Sequence, residues 1–225
     1  MPFSKLQTCL LCHDVQTDSV CSGCLADLRE LFSDADNCCP KCAQFSVGGA
    51  VCGHCQKHPP LYAHLWACAE YAAPLPALLH AWKHSGQRGL SAVFVRMMRE
   101  NPPPWLHDTA FDAVLAMPLA RSRRMARGFN QCDTLAQEIT RRYKIPTMPH
   151  DSVFRVPKPP QSTLDAAART KNIENVFRVR TDVKNRKVLI IDDVATTAAT
   201  ISELARTLLQ SGACAVSAFV VARNK

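Results

Sequence analysis

Lys187-Val-Leu-Ile-Ile-Asp-Asp-Val-Ala-Thr-Thr-Ala-Ala-Thr200 runs directly into Ile201-Ser-Glu-Leu-Ala-Arg-Thr-Leu-Leu209. Val188–Ile191 are four apolar residues, three of them β-branched, and predict a buried strand. Ile201, Leu204, Ala205 and Leu208 repeat at i, i+3, i+4, i+7, the inner face of a helix. Gly212 suits the helix C-terminus. Ala215-Val-Ser-Ala-Phe-Val-Val221 reads as the next strand. A strand–helix–strand unit implies an α/β fold with a parallel sheet. Ligands in such sheets bind beyond the carboxyl ends of the strands, where Asp192 and Asp193 stand. The segment Val194-Ala195-Thr196-Thr197-Ala198-Ala199-Thr200 then enters a helix N-terminus. Its small residues let backbone N–H groups approach a phosphate, its threonines add donors, and the helix dipole favours the anion. The two carboxylates can hold sugar hydroxyls or a magnesium ion. An ordinary strand-to-helix turn capped by threonine has the same pattern.

Upstream, Phe111-Asp-Ala-Val-Leu-Ala-Met117 predicts a second strand, followed by the loop Pro118-Leu-Ala-Arg-Ser-Arg-Arg-Met-Ala-Arg-Gly-Phe-Asn-Gln131. A helix through about Arg142 follows, with Leu135, Ala136 and Ile139 as its apolar face. Arg121, Arg123, Arg124 and Arg127 make the loop strongly positive. A guanidinium fork binds phosphate oxygens two at a time. Phe129, Asn130 and Gln131 accompany the charge, which favours a ligand or nucleic-acid phosphate over a merely solvated loop. Further on, Phe154–Asn172 carries three prolines and many polar residues and reads as a long loop.

Cysteine divides the chain. Nine of the twelve cysteines precede residue 60. They include four C-x-x-C pairs: Cys9/Cys12, Cys21/Cys24, Cys39/Cys42 and Cys52/Cys55. Two residues between cysteines let both thiolates of a tight turn face one ion, and two such turns complete a tetrahedral shell. Grouping 9/12 with 21/24 and 39/42 with 52/55 makes two structural zinc sites of the knuckle or ribbon kind. Interleaved pairing stays open, and an iron–sulfur cluster would use the same ligands. A thioredoxin-like centre would need one such motif, not four. Disulfides would need an exporting signal. Cys39 fits the spacing better than its neighbour Cys38. His13, His54 and His58 read as surface residues. So small a segment cannot bury much core, so the metal itself supplies folding free energy. Leu25–Phe32 predicts a short amphipathic helix. Cys68, Cys132 and Cys214 read as small buried hydrophobes.

The boundary is expected near His58-Pro59-Pro60, giving a zinc domain over 1–60 and an α/β domain over 61–225. Residues 1–60 hold four bases and six acids, a net −2; the remaining 23 bases and 13 acids give +10. A polyanion is therefore expected on the C-terminal part. With 47% hydrophobic and 20% charged residues the composition is that of a folded protein. No apolar stretch is long enough to span a bilayer and the first residues lack a signal-peptide core, so the expected location is cytoplasmic. No nucleophile elbow occurs. His80 and His84, at i, i+4, lack a third ligand and read as a polar helix face. Trp66, Trp82 and Trp105 read as core or interface anchors.

The 187–200 segment resembles the phosphoribosyl pyrophosphate (PRPP) motif of type I phosphoribosyltransferases. The resemblance implies that Asp192 and Asp193 hold the ribose hydroxyls and that the threonine-rich loop holds the 5′-phosphate. That loop usually carries a glycine where this chain has Ala198, and alanine lacks glycine's tolerance of positive φ. The run Pro118-Leu…Arg-Gly-Phe-Asn-Gln131 and the stretch Trp82-Lys-His-Ser-Gly86 are similar to the ComF family of competence proteins, which also places four-cysteine zinc pairs before a phosphoribosyltransferase domain. Met117 stands where that family often has valine. The resemblance covers nearly the whole chain. It implies that Arg121 meets pyrophosphate and that 154–172 is a mobile hood loop, with Lys158, Gln161, Arg169 and Asn172 facing PRPP.

Three functional readings follow. The first is a phosphoribosyltransferase using PRPP and magnesium, acting on a nitrogen acceptor that no motif names. The second is single-stranded DNA binding through Arg121, Arg123, Arg124, Arg127 and Phe129 during DNA uptake, alongside uptake-machinery proteins. The third is a zinc-ribbon adaptor with a degenerate, non-catalytic phosphoribosyltransferase fold. The short tail Val221-Ala-Arg-Asn-Lys225 carries no base-recognition signature.

Overall fold

In the computed structural model, which describes residues 6–156 and 175–224, alternation along the strands decides where the core lies. The central sheet has four parallel strands in the order β3–β8–β7–β4: β3 (Leu65–Glu70), β4 (Ala113–Ala116), β7 (Lys187–Ala195) and β8 (Ala215–Arg223). Because side chains alternate faces with period two, Leu189, Ile191, Phe219 and Val221 point to one face, and Val188, Ile190, Ala218 and Val220 to the other. Both faces are covered, as a parallel sheet requires. Ile201, Leu204, Ala205 and Leu208 of the helix Ala199–Gln210 (α7) seal the second face, and all four are buried as expected. The first face packs on α3 (Leu75–His84), α4 (Ser91–Glu100) and α6 (Gln131–Tyr143), through Leu79, Trp82, Phe94, Leu135 and Ile139. Gly212 lies at φ 99°, as a helix-ending residue should.

The Cys-rich segment forms two small lobes. One holds the hairpin β1 (Gln7–Thr8) and β2 (Val15–Gln16) with α1 (Ser22–Arg29); the other holds α2 (Gly53–Lys57). The first helix sits three residues earlier than the Leu25–Phe32 expectation. Cys21 Sγ accepts the N–H of Cys24 at 3.3 Å and caps it early. Phe32 bridges to Ala69, which draws the chain out of helix. Val20, Leu25 and Leu28 belong to the same buried cluster as the sheet's first face.

The arginine-rich run is not the expected loop. Arg121–Arg127 coils into a helix, α5, with no buried residue and Met125 75% exposed. Gly128, at φ 75°, ends it, and a Cβ there would lie 2.8 Å from Arg88 Nη2. A short antiparallel pair, β5 (Val153–Arg155) and β6 (Phe177–Val179), stands beside the sheet.

Candidate phosphate-binding crevice and metal centres

The crevice arises because β4 stops early. Its last residue, Ala116, pairs with Ile191, whereas β7 and β8 stay paired out to Ala195 and Arg223. Asp192 and Asp193 therefore lie just past the end of β4 with one flank open. Both are half-buried. Asp192 Oδ1 accepts the N–H of Asp193 at 2.8 Å and the thiol of Cys132 at 3.5 Å. Burial and the Asp193 charge push Asp192 up to about 7, against the opposing pull of that N–H, of Lys83 and of Cys132. Asp193 Oδ1 pairs with Lys83 Nζ at 2.8 Å. Cys132, buried in the first turn of α6, is held as a thiol by desolvation and by the two carboxylates, so it acts here as a hydrogen-bond donor.

Beyond the acids, Val194 is half-buried and Ala195 buried, while Thr196 and Thr197 are exposed. Ala198 is the N-terminal cap residue of α7 and has φ 58°, ψ 11°. The chain thus adopts the left-handed conformation that a glycine would favour, and holds it with alanine at a cost of about 1–2 kcal/mol. Ala198 carries no capping side chain; Thr197 Oγ1 accepts the N–H of Ala199 at 3.3 Å. Ala199 and Thr200 are half-buried at the helix start. These first N–H groups and the dipole behind them suit an anion.

Two concavities flank the acids. One, of about 680 Å³, lies between the end of β4, α6 and β5, and Arg121, Arg124, Asn130, His150, Arg155 and Arg180 line it. Asn130 builds its wall: Nδ2 donates to Met117 O at 3.0 Å, and Oδ1 accepts the N–H of Cys132 at 3.3 Å. Burial lowers Arg155, Arg123 adds to that effect and Asp192 opposes it, so Arg155 feels both charged groups. The other concavity, of about 610 Å³, is lined by Lys83, His84, Arg123, Arg127 and Phe129. Arg121, Arg123 and Arg124 are exposed. Arg124 reaches Asp133 at 3.6 Å, and Arg127 donates to Gln131 Oε1 at 3.2 Å. Phe129 is half-buried, and the Arg88 guanidinium covers its ring at 4.7 Å. Lys158, Gln161, Arg169 and Asn172 lie outside the described residues.

The eight expected cysteines gather into two clusters, Cys9/Cys12/Cys21/Cys24 and Cys39/Cys42/Cys52/Cys55. Sequential grouping holds, and interleaving does not. The donor set fits zinc: Cys12–Cys21 and Cys42–Cys52 are each 3.7 Å apart, against an edge of about 3.8 Å for a tetrahedron with ~2.3 Å zinc–sulfur bonds. Backbone N–H groups already point at the sulfurs. Cys21 N donates to Cys9 Sγ at 3.4 Å and Cys52 N to Cys39 Sγ at 3.3 Å. Burial opposes the thiolate at Cys9 and Cys39, but such N–H bonds outweigh it and draw them down to about 6 and about 7. Cys42 is pushed up to about 11, first by burial.

Sequence reading does not single out Arg155, and it gives Cys132 only as a small buried hydrophobe, not as a donor to Asp192. Lys83 lies in the Trp82–Gly86 stretch, in which nothing points to its partner Asp193. One expectation is corrected: Cys214 is exposed, because the turn after Gly212 lifts it off the sheet, and its thiol donates to Asn185 O. Trp66 and Trp82 are core residues, and Trp105 is half-buried against His64. The His80 and His84 rings lie 5.0 Å apart, tilted by 38°, and join none of the ligand groups found among the described residues.

Residues 128–225 match the family described as the phosphoribosyl transferase domain. Among curated proteins, the "DNA utilization protein YhgH" of Escherichia coli K12 is 32% identical over 83% of this chain and 84% of its own. The chain belongs to the ComF family. Two further relatives agree. "Competence protein F" of Haemophilus influenzae is 26% identical, covering 96% of each chain. "Competence protein ComFC" of Bacillus subtilis is 26% identical over 92% of this chain and 85% of its own. ComF membership, the parallel sheet and the cysteine clusters together give a phosphoribosyltransferase-type fold with an N-terminal metal-binding segment. Among the described residues no helix is long and apolar enough to cross a membrane.

Proposed function

We propose that this ComF protein binds PRPP with magnesium in the crevice at the end of β7 and serves DNA uptake by also binding single-stranded DNA. The observation that carries the reading is the adjacency of two half-buried carboxylates and a left-handed helix entry at Ala198. Asp192 and Asp193 would take the ribose hydroxyls, and the N–H groups and hydroxyls of Thr196–Thr200 the 5′-phosphate. Arg121 would meet the pyrophosphate, and Lys158, Gln161 and Arg169 are further candidate contacts for PRPP. Residues 1–60 serve as a zinc-stabilised unit and a docking face for uptake-machinery proteins; 61–225 is the phosphoribosyltransferase unit. The protein works in the cytoplasm.

The chemistry such a site supports is phosphoribosyl transfer. The bond from ribose C1 to pyrophosphate breaks, and its electron pair leaves with the pyrophosphate. A nitrogen lone pair forms the new bond to C1, and that nitrogen loses a proton to solvent or to the leaving pyrophosphate. Arginine neutralises the growing charge on the leaving group, and magnesium bound with PRPP supplies more of the same. The carboxylates face the positive charge that grows on the ribose.

Calorimetric titration of the zinc-loaded protein with PRPP and magnesium tests this reading. A saturable isotherm is expected, and it is lost in Asp192→Asn/Asp193→Asn. A flat isotherm from folded wild type overturns it and leaves the adaptor with a degenerate site.

The single-strand reading is favoured by one further observation: α5 carries four arginines with no buried residue. Fluorescence anisotropy with a labelled oligonucleotide should give salt-sensitive binding. A salt-independent or absent signal removes it.

A further inference from the structure

Arg223 ends β8, and it is the one charged residue in a strand that is otherwise apolar save for Ser217. It is only 6% exposed. Its Nε donates to Cys42 O at 2.9 Å, and its Nη1 to Ala195 O at 2.9 Å. Cys42 is a ligand of the second cysteine shell, and Ala195 is the residue from which the phosphate loop departs. One guanidinium thus spans the two sites. Around it Asn224 links the same two segments, its N donating to Ala195 O at 3.0 Å and its O accepting from Gln44 Nε2 at 2.9 Å, while Lys41 Nζ ties the cysteine lobe to Ala63 O at 2.8 Å.

A buried guanidinium needs counter-charge as well as hydrogen bonds. Among the described residues no carboxylate is bonded to Arg223, whose bonds run to two carbonyls. Its Nε sits on the backbone carbonyl of Cys42, one of the four cysteines of the second shell. Four thiolates around one Zn²⁺ carry a net −2, so the loaded shell is the natural counter-ion. The first shell offers a built-in contrast. Its lobe is tied to α4 by Arg29–Glu100 and to β3 by Ser33 N to Cys68 O and Glu70 N to Leu31 O. No hydrogen bond among the described residues joins 6–33 to 192–200.

We propose that Arg223 is a positioning residue that couples the second cysteine shell to the phosphate loop, so that metal in that shell, and not in the first, sets the loop for its anion. Fixing the Ala195 carbonyl fixes the peptide plane that launches Thr196, Thr197 and the strained turn at Ala198. A lysine cannot replace the fork, because a point ammonium does not supply two donors in fixed directions to two carbonyls. The coupling rests on the PRPP reading only for its ligand. Its effect on the loop does not need PRPP.

The test uses the full chain loaded with zinc. Wild type, Arg223→Lys, Cys52→Ser and Cys12→Ser are compared by zinc content, by hydrogen exchange at residues 195–200 and by calorimetry with PRPP and magnesium. Arg223→Lys should keep both zinc ions yet exchange faster at 195–200 and bind PRPP about tenfold more weakly, within the usual range of coupling between sites. Cys52→Ser should reproduce that loop effect, and Cys12→Ser should not. Reciprocity adds a readout: PRPP should tighten zinc binding, measured at equilibrium by competition with a chromogenic chelator, in wild type and not in Arg223→Lys. Unchanged exchange at 195–200 in both Arg223→Lys and Cys52→Ser overturns the proposal, as does an equal effect from Cys12→Ser. If Arg223→Lys fails to fold, the contrast between the two cysteine variants decides alone. Should wild type bind no PRPP while exchange still follows the second shell, the PRPP reading falls and the coupling stands.

Discussion

The two charged walls of the crevice are built in opposite ways. Asp192 and Asp193 come from a central strand, half-buried, each with a partner: Cys132 for one, Lys83 for the other. The arginines of α5 come from a seven-residue helix with no buried side chain, and Arg121 and Arg123 point at solvent. Position is fixed by the fold in the first case and only loosely in the second. A fixed pair can recognise one geometry; a solvated cluster recognises charge. The contrast can be broken by exchanging the perturbations. Asp192→Asn/Asp193→Asn should weaken PRPP binding at least about 100-fold, since hydrogen bonds to charged groups contribute about 1.5–3 kcal/mol each. The same variant should leave single-strand affinity intact or slightly improved. Loss of both together in calorimetry and anisotropy would mean that the two walls form one site.

The complementary variant is Arg123→Ala/Arg124→Ala/Arg127→Ala, which spares Arg121 for pyrophosphate. Each phosphate contact contributes about −0.7 to the slope of log affinity against log salt for single strands, so three lost contacts should flatten it by about 2. Between 50 and 200 mM salt that amounts to a roughly 20-fold smaller fall in affinity. PRPP affinity should stay within a few-fold of wild type. An unchanged slope would place the strand elsewhere.

The fixed wall should also show itself in pH. Burial raises Asp192 to about 7 in the fold, whereas an unfolded aspartate titrates near 3.9. Between those values the folded state holds a proton that the unfolded state has lost. Stability is therefore fullest below about 4, falls as pH rises through 7, and levels off above. Asp192→Asn removes the ionisation. It should raise the melting temperature clearly more at pH 8 than at pH 5, as read by thermal scans at both pH values. Equal gains at both would show that ionisation of Asp192 does not destabilise the fold. No such pH signature is expected from the solvated arginines.

Much of this was legible, and the reason is periodicity. Val188–Ile191, the i, i+3, i+4, i+7 face of α7, and the paired cysteine spacings are local patterns, and each reappears where expected. What was not legible is whatever depends on residues far apart in the chain. Cys132 meets Asp192 only because α6 crosses β7, sixty residues later. Lys83 finds Asp193 across the sheet's first face. Arg223 binds a carbonyl 181 residues upstream. A signal did exist for Arg223, since a lone charge in an apolar strand must be paired somewhere. The helix at 121–127 is hidden by charge: four arginines in seven residues read as a strongly positive phosphate-binding loop, although arginine is a good helix former. At Cys214 the residue type favours burial, while the place just past Gly212 puts it outside.

Ala198 is where the fixed wall departs from its family pattern, and it yields the smallest and sharpest test. A glycine is usual there, and the backbone keeps a glycine's conformation at φ 58°. Replacing alanine by glycine removes the left-handed penalty of about 1–2 kcal/mol. It also returns about 0.5–1 kcal/mol of chain entropy to the unfolded state. The net is a stabilisation of about 0 to 1.5 kcal/mol, or at most a few degrees in melting temperature. If PRPP needs the turn as it stands, affinity should rise by no more than about fivefold, because the conformation is already reached. A much larger gain would mean that alanine leaves the binding-competent loop a minor state. A loss would mean that the alanine methyl group, buried at 6% exposure, supports the loop from beneath. Either result places the cost of Ala198, in the turn's population or in its packing, and single-strand binding by α5 should register none of it.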